Sequence, residues 1–342
     1  MTKKNDVQLE KQPEKHEEQS YDIVMDALIH YMDKIIPLLR KTDIYEVYAN
    51  PDGHVYTMSN VNGKALTDII LTADEREAII KHVAAVDTRI INEKNPEVDA
   101  KIPANRAFSM CRFHGDFPPV VEAPVFNIRK HSTTIYTLED YRNQGTMTQE
   151  QYEIILNAIH GHKNIIVAGG TGSGKTTLIN AVLAEIAGSD DRIISIEDTN
   201  ELQCKAKDYV ALIATGEVSM SRCVKSTLRM TPRRIVVGEV RGEEALDLFT
   251  AWSTGHKGGC CTVHSNDAAQ TLIRLVDMTS RVAVNPQPRT IANAIDIIVY
   301  IRNLNNKRWI EDIISIDDYD DTTKKFIWQK IDVNSGQCPE NE

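Results

Sequence analysis

The 342-residue sequence lacks any apolar run of the 18 or more residues that a membrane-spanning helix needs. Its richest apolar run, Ile295–Ile301, is interrupted by Asp296. Residues 1–20 are rich in Lys, Glu and Gln and contain no apolar core of the kind found in secretory signal peptides. We therefore expect a cytoplasmic protein that meets a membrane only at its periphery.

Paired cysteines and an excess of positive charge are also missing. The six cysteines form no C-x-x-C pair and have no paired histidine spacing typical of zinc sites, and the adjacent Cys260 and Cys261 are typical of small apolar residues on a strand. With 39 Lys+Arg against 49 Asp+Glu, the formal net charge is −10. This charge and the lack of an evident aromatic stacking platform argue against a helicase and against direct, sequence-specific nucleic-acid binding.

The composition is that of a globular protein, with 42% hydrophobic and 26% charged residues. At about 150 residues per domain, the length predicts two domains. The boundaries follow from shifts in composition and periodicity. We predict a flexible tail over 1–20, an N-terminal α+β domain over 21–130, a linker over 131–148, an α/β domain over 149–333 and a second tail over 334–342.

The first domain shows both helical and strand patterns. Apolar residues at helical spacing predict one amphipathic helix over 21–40, and the turn 50–53 between two short apolar runs predicts a hairpin. Thr72 followed by Glu75 is a capping box that predicts the start of a second helix. Residues 97–130 alternate between apolar and polar positions, which is typical of an antiparallel sheet.

Strands and helices alternate in the second domain, which predicts an α/β fold built on a mostly parallel sheet. The helical stretches include Gln149–Gly161, Lys175–Ala187 and Glu243–Thr254, and the end of the domain, from Trp309 to Trp328, predicts a terminal hairpin. The predicted buried strands are Asn164–Ala168, Arg192–Glu197, Tyr209–Ile213, Arg234–Gly238, Gly259–His264 and Ile295–Ile301.

A complete phosphate-binding loop lies between the first of these strands and the helix that follows. The segment GGTGSGKTT satisfies the pattern G-x-x-x-x-G-K-[ST] in the strand–loop–helix context that the motif requires. Glycines let backbone N–H groups turn towards phosphates at a helix N-terminus, a lysine reaches the β/γ-phosphates, and a hydroxyl binds Mg²⁺. The segment predicts a nucleotide site formed by Gly170, Thr171, Gly172, Ser173, Gly174, Lys175, Thr176 and Thr177, with Thr176 as metal ligand.

Further candidate residues follow later strands. Two acidic segments, 194–201 and 234–242, carry carboxylates at the ends of predicted strands, and carboxyl ends of parallel strands face the ligand crevice of an open α/β sheet. A carboxylate there can hold magnesium or orient the attacking water. His264 ends another strand and is a candidate to bind that water or sense the γ-phosphate, whereas His256 is interpreted as a support for its loop.

The order of four segments resembles a known family. GGTGSGKTT, IEDTNEL, LRMTPRRIVVGEVRG and STGHKGG…TVHSND are similar to the Walker A motif, aspartate box, Walker B motif and histidine box of the type II/type IV secretion traffic ATPases. The segment 112–130 is similar to the conjugative-transfer ATPases of the TrbB type. The resemblance covers about residues 21–332.

This resemblance implies a homohexameric ring whose subunits carry a PAS-like N-terminal domain and a RecA-like C-terminal domain, with ATP and Mg²⁺ bound between them. It implies that Glu201 positions water or metal, that Glu239 is the Walker B carboxylate and that His264 is the histidine-box residue. It further implies that Arg129, together with Arg112 or Arg106, reaches the phosphates from the N-terminal domain.

The sequence departs from the family pattern just before the Walker B strand. Thr231 stands where the family usually has an arginine, which places one phosphate-sensing contact in question. Arg233 stands where an aspartate is usual, so a local ion pair is expected to be lost. Arg229 is a candidate to replace the missing arginine.

The function that the resemblance implies is a hexameric ATPase motor. It would power substrate transfer or pilus biogenesis with the inner-membrane components of a type IV secretion or conjugation system. A pilus-retraction or type II secretion motor, and a nucleotide-gated assembly scaffold, are the alternatives. An ABC transporter subunit is disfavoured because the sequence has no LSGGQ-like segment.

Overall fold

A computed structural model describes residues 15–59, 61–87, 89–130, 135–283 and 287–332, with backbone only for 15–20. The chain divides into two compact units, residues 1–133 and 134–342. Within the described residues, no helix combines the length and apolar character that crossing a membrane requires. The predicted tail over 334–342 lies outside the described residues, as does most of the tail over 1–20.

The first unit contains a six-stranded antiparallel sheet in the order β3-β2-β1-β6-β5-β4. Its elements are α1 (Lys15–Tyr31), α2 (Ile36–Arg40), β1 (Ile44–Ala49), β2 (His54–Ser59), β3 (Gly63–Ile70), α3 (Ala73–Val86), β4 (Glu97–Ile102), β5 (Cys111–Asp116) and β6 (Val125–Lys130).

The N-terminal helix differs from the prediction at both ends. It begins at Lys15, six residues earlier than expected, so the tail predicted over 1–20 is helical in its last part. It also ends at Tyr31, and a separate helix follows from Ile36. Pro37 lies in the first turn of this second helix, where its missing N–H is tolerated; inside one continuous helix it would remove a hydrogen bond.

The other predictions for this unit agree with the structure except for one strand. The hairpin turn is present, with the N–H of Gly53 donating to Asn50 O at 3.0 Å. The side chain of Thr72 accepts the N–H of Glu75, whose carboxylate in turn accepts the N–H of Thr72, so the predicted capping box is confirmed. Strand β3 was not predicted, because most of its residues are exposed at the sheet edge and show no alternation.

The second unit contains an eight-stranded sheet in the order β14-β13-β12-β7-β11-β10-β8-β9. Its elements are α4 (Leu138–Asn143), α5 (Gln149–His160), β7 (Ile165–Gly169), α6 (Lys175–Ile186), β8 (Ile193–Glu197), β9 (Tyr209–Ile213), α7 (Met220–Thr227), β10 (Arg234–Val237), α8 (Glu244–Ser253), β11 (Cys260–His264), α9 (Ala268–Ser280), α10 (Pro288–Ala294), β12 (Ile297–Leu304), β13 (Lys307–Asp320) and β14 (Lys325–Lys330).

The predicted parallel sheet is confirmed. Strands β7 to β12 pair in parallel, and β13 and β14 add the predicted terminal hairpin as two antiparallel strands. The last parallel strand begins at Ile297 rather than at Ile295, because helix α10 ends at Ala294 and Ile295 is its C-cap residue. The segment predicted as a linker over 131–148 contains the short helix α4, which begins with a capping box between Thr137 and Asp140.

Both faces of the central parallel strands are buried. Strand β9 was predicted as a buried strand, but it lies at the end of the sheet and none of its residues is fully buried. Successive residues along a strand pack into two separate cores, one on each side of the sheet, as Cys260 and Cys261 illustrate. Burial raises the pKa of the Cys260 thiol to about 12 and that of Cys261 well above its usual value. The two cysteines are therefore apolar core residues, as predicted, and not a redox pair.

Candidate nucleotide site

The candidate residues of the second unit meet at the carboxyl ends of its parallel strands. Strands β8, β10, β11 and β7 are parallel neighbours, so their carboxyl ends lie side by side. His264, at the end of β11, pairs in register with Gly169 at the end of β7. Val237, at the end of β10, pairs with both Cys261 and Ile196, which brings the residues following β8 and β10 to the same edge.

The predicted phosphate loop occupies residues 170–174, between β7 and α6. Two of its glycines have backbone conformations that L-residues with side chains rarely adopt, with φ of +69° at Gly172 and +98° at Gly174. Gly174 is the N-cap residue of α6, so Lys175, Thr176 and Thr177 form the first turn of that helix. The loop therefore lies at a helix N-terminus, where the macrodipole favours an anion.

Lys175 and His264 are in direct contact. The lysine is only 7% exposed, and its Nζ lies 2.9 Å from Gly170 O and 3.3 Å from His264 Nδ1. Because an ammonium group can only donate, Nδ1 accepts, and a neutral His264 carries its proton on Nε2. Burial, together with the positive charge of Lys175, lowers the pKa of His264 and favours this neutral form.

Glu239 lies on the other side of His264. Its Oε1 is 3.1 Å from His264 Nε2, the nitrogen that carries the proton, and its side chain is 15% exposed. Arg241 donates to the second oxygen, Oε2, at 2.6 Å. Lys175, His264 and Glu239, three residues predicted from separate motifs, therefore form one connected cluster.

Glu201 lies in the loop after β8 and is fixed through its backbone. Its N–H donates to Glu197 Oε1 at 2.8 Å, and its carbonyl accepts the side-chain amide of Asn180 at 3.0 Å. The negative charge of Glu201 contributes to raising the pKa of Arg241, after the stronger effects of Glu239 and Asp198. Glu201 is thus a neighbour of the cluster.

Two residues at this edge were missed by the sequence reasoning. Arg241 and Asp198 form an ion pair at 2.9 Å, which joins the loop after β8 to the loop after β10. Both residues lie within the aspartate-box and Walker B-like segments, but the spacing of residues along the chain does not show which side chains of two loops meet.

A third contribution comes from the ends of β12 and β13, next to the turn that joins them. Asn303 Nδ2 donates to Gly172 O at 3.0 Å, and Arg308 Nε donates to the same carbonyl at 3.3 Å. These two side chains hold the phosphate loop from the side. No sequence motif indicated them, because the contact depends on β12 being the neighbour of β7.

The predicted arginines of the first unit are adjacent to one another. Arg112 on β5 pairs directly with Arg129 on β6, and Arg129 pairs with Glu46 on β1. Directly paired residues point to the same face of a sheet, so the two arginines share one face. Arg106 forms an ion pair with Asp26 at 3.1 Å. Their predicted contact with phosphates remains a prediction.

The residues that depart from the family pattern lie at the opposite end of the strands of the second sheet, the amino end. Residues 228–233 precede the amino end of β10, and Met230 O accepts a hydrogen bond from Arg192, which precedes β8. Arg229 therefore lies away from the phosphate loop of its own chain. Arg233 forms an ion pair with Asp191 at 3.6 Å, so an ion pair is present here despite the substitution.

His256 lies at the same amino edge, in the loop before β11. His256 follows the end of α8, and its backbone N–H donates to the carbonyl of Ala251 in that helix at 3.3 Å. This position agrees with the interpretation of His256 as part of the loop and separates it from His264 by the length of the strand.

Comparison with known proteins gives concordant results. Residues 25–335 match the family described as "Type II/IV secretion system protein". The chain is 37% identical to the conjugal transfer protein TrbB of Rhizobium radiobacter over 289 residues, which covers 84% of this chain and 88% of TrbB.

Solved structures share the fold. The ATPase DotB of Legionella pneumophila superposes with a TM-score of 0.62 at 19% identity, covering 84% of this chain and 81% of DotB. The pilus retraction motor PilT, solved with bound ADP, superposes with a TM-score of 0.58 at 21% identity, covering 79% and 77%. The family match over nearly the whole chain agrees with the four ordered motifs. The chain is a member of the type II/IV secretion system protein family.

Proposed function

We propose that this protein is an ATPase that hydrolyses ATP with Mg²⁺ and acts as a homohexameric motor in a type IV secretion or conjugation system. The observation that carries the proposal is the cluster of Lys175, His264 and Glu239 beside a complete phosphate loop, in a chain of this family. The similarity to a conjugal transfer protein favours conjugation over a pilus-retraction or type II secretion motor.

The residues present fit a nucleoside triphosphate. The loop 170–174 ends at the N-terminus of α6, and the buried ammonium of Lys175 supplies a positive charge directly behind it. Ser173 is 1% exposed and its Oγ has no hydrogen-bond partner, which leaves a polar atom of the loop unsatisfied within the described residues. Lys175, Thr176, Thr177 and the loop backbone would hold the phosphates.

The same edge offers oxygen ligands for Mg²⁺, which prefers hydroxyl, carboxylate and water oxygens. Thr176 would be the direct ligand, and the carboxylate of Glu239, which follows β10 two strands away from β7, would be the partner acid. The ion would neutralise charge on the β- and γ-phosphates.

Glu239 and His264 would act on the attacking water. Glu239 would orient the water and accept its proton, and neutral His264 would lie beside that carboxylate, with its Nε2 3.1 Å from Oε1. Glu201 would contribute to positioning water or metal. Arg129 and Arg112, whose permanent charge and planar fork match phosphate oxygens, would reach the nucleotide from the first unit.

In the proposed motor, the first unit would be a PAS-like domain and the second a RecA-like domain, and ATP binding and hydrolysis would drive the working cycle. The ring would work peripherally at the inner membrane, bound to channel components. With a net charge of −10, we expect exported DNA to be held by partners rather than by this chain.

The first experiment tests the enzyme and the motor together. Lys175→Ala should abolish ATP hydrolysis in vitro and conjugative transfer in a complemented deletion strain. Lys163→Ala is the matched control, because Lys163 forms an exposed ion pair with Asp296 at the amino edge of the sheet and should keep both activities. If the wild-type protein does not hydrolyse ATP, the proposed ATPase activity is wrong. If Lys175→Ala supports normal transfer, the proposed motor role is wrong.

Two further measurements separate the alternatives. Glu239→Gln should bind ATP without hydrolysing it and should fail in transfer; if it supports transfer, the protein is an assembly scaffold. Native mass spectrometry with ATP should give about 230 kDa, six copies of the 38.4 kDa chain. A monomer under all nucleotide conditions would contradict the ring.

A further inference from the structure

Arg241 joins two carboxylates that belong to different loops of the candidate site. Its Nη1 donates to Asp198 Oδ2 at 2.9 Å, and its Nη2 donates to Glu239 Oε2 at 2.6 Å. Asp198 follows β8 and Glu239 follows β10, so one guanidinium group links the ends of two adjacent parallel strands.

The backbone that carries this arginine is itself fixed. Glu244, at the start of α8, is 8% exposed, and its Oε1 accepts the backbone N–H groups of Arg241 at 2.5 Å and Gly242 at 2.9 Å. The arginine therefore extends from an anchored point, and less conformational entropy is lost when its fork engages the two acids.

Glu239 needs such a partner to have one orientation. Its Oε1 faces His264 Nε2 at 3.1 Å, and its Oε2 faces Arg241. Oε1 is buried and makes no hydrogen bond among the described residues, so the hydrogen bond from Arg241 to Oε2 is what fixes the rotation of the carboxylate group. Because a misplacement of about 1 Å can cost about 100-fold in rate, this orientation bears directly on turnover.

We propose that Arg241 is a positioning residue for ATP hydrolysis, which holds the Glu239 carboxylate in place through a bridge anchored on Asp198. The inference rests on the proposed function, since it assigns a role within that reaction. Nη1 and Nη2 each donate to a carboxylate, so we assign the arginine to the orientation of Glu239.

A lysine cannot reproduce this bridge. Arginine presents its N–H groups in a rigid planar fork, whereas a lysine ammonium is a point charge on a flexible stem. Arg241→Lys keeps the charge beside Glu239 but loses the simultaneous hold on Asp198, so it should recover only part of the activity that Arg241→Ala loses.

The test separates turnover from binding in the full-length protein. For Arg241→Ala we expect kcat for ATP to fall by about 10- to 100-fold, with KM for ATP and the Kd of ADP within about twofold of wild type. Asp198→Asn should lower kcat less, and the double variant should be no slower than Arg241→Ala, because both changes break the same bridge.

Arg289→Ala is the matched control. Arg289 also bridges two carboxylates, Asp318 at 3.2 Å and Asp321 at 2.6 Å. Asp318 lies near the end of β13 and Asp321 follows that end, which extends beyond the amino end of the parallel strands. The Arg289→Ala variant should therefore have the kcat of the wild-type protein. Thermal melting of all variants checks folding, and Arg241→Lys keeps the test valid if Arg241→Ala does not fold.

The outcomes are distinguishable from those of the proposed function. If the wild-type protein does not hydrolyse ATP, the proposed function fails. If it does and Arg241→Ala retains full kcat, the positioning role is wrong. A raised KM with unchanged kcat would make Arg241 a binding residue instead, and additive losses from Asp198→Asn and Arg241→Ala would overturn the anchor.

Discussion

Replacing Glu197 with glutamine tests how burial of one carboxyl group affects stability. Glu197 ends β8 and is 2% exposed. Its Oε1 accepts the N–H groups of Glu201 and Leu202 at 2.8 Å each, but its Oε2 has no hydrogen-bond partner among the described residues. Burial, with a smaller contribution from Glu201 and Asp198, raises the pKa of Glu197 from 4.5 to about 7.

The sign and size of the effect follow from this pKa. Between pH 4.5 and about 7 the folded chain holds a proton at Glu197 that the unfolded chain has lost. The free energy of unfolding therefore falls as the pH rises through this window, and the stability contributed by the protonated form is fully present only below pH 4.5. At about 1.4 kcal/mol per pH unit, the loss is about 3 kcal/mol.

Glutamine is neutral at every pH and its carbonyl can still accept both N–H groups, so Glu197→Gln should remove this pH dependence. Melting of the full-length, nucleotide-free protein from pH 5 to pH 8 provides the measurement. At about 2–4 °C per kcal/mol for a unit of this size, the Tm of the variant relative to wild type should rise by about 5–10 °C across the range.

The control is Glu217→Gln, the same chemical change at an exposed glutamate of the same unit. Its Tm relative to wild type should not change with pH. If the difference between Glu197→Gln and wild type is equally large at pH 5 and pH 8, burial of the carboxyl group is not the cause, and the reasoning is refuted.

Two other predictions concern the site and the core. Because the charge of Lys175 contributes to lowering the pKa of His264, Lys175→Ala should raise that pKa, which NMR titration of the imidazole would show; an unchanged or lower value would contradict the contact. A Cβ at Gly259 would lie 2.2 Å from Ile235 O and 2.5 Å from Trp252 Nε1, so Gly259→Ala should lower stability by about 1–3 kcal/mol or more in denaturant unfolding. Gly216→Ala, whose Cβ meets nothing within 4 Å, is its control, and equal stability of the two variants would show that Gly259 is not closely packed.

Much of the second unit was predictable because its signals are local. The phosphate loop is defined by consecutive residues, and the central parallel strands are largely apolar runs because both of their faces are buried. The capping box at Thr72 was predictable for the same reason, since its two hydrogen bonds join residues three apart.

The edge strand β3 and the helix α4 were not predictable in this way. The first has mostly exposed residues, and the second is a short helix of six residues inside a segment without clear periodicity. The early start of α1 at Lys15 was missed because a helix of polar residues has no apolar stripe to reveal it.

The sequence by itself determined the phosphate loop, the order of the strands along the chain, and Glu239 and His264 as candidate residues of the nucleotide site. Each of these depends on residues that are close together in the sequence. Only the tertiary structure decided that Arg241 bridges Asp198 and Glu239, and that Asn303 and Arg308 hold Gly172. These contacts depend on which strands are neighbours in the sheet. That order is set by packing on both faces of the sheet, and the separation of two residues along the chain does not encode it.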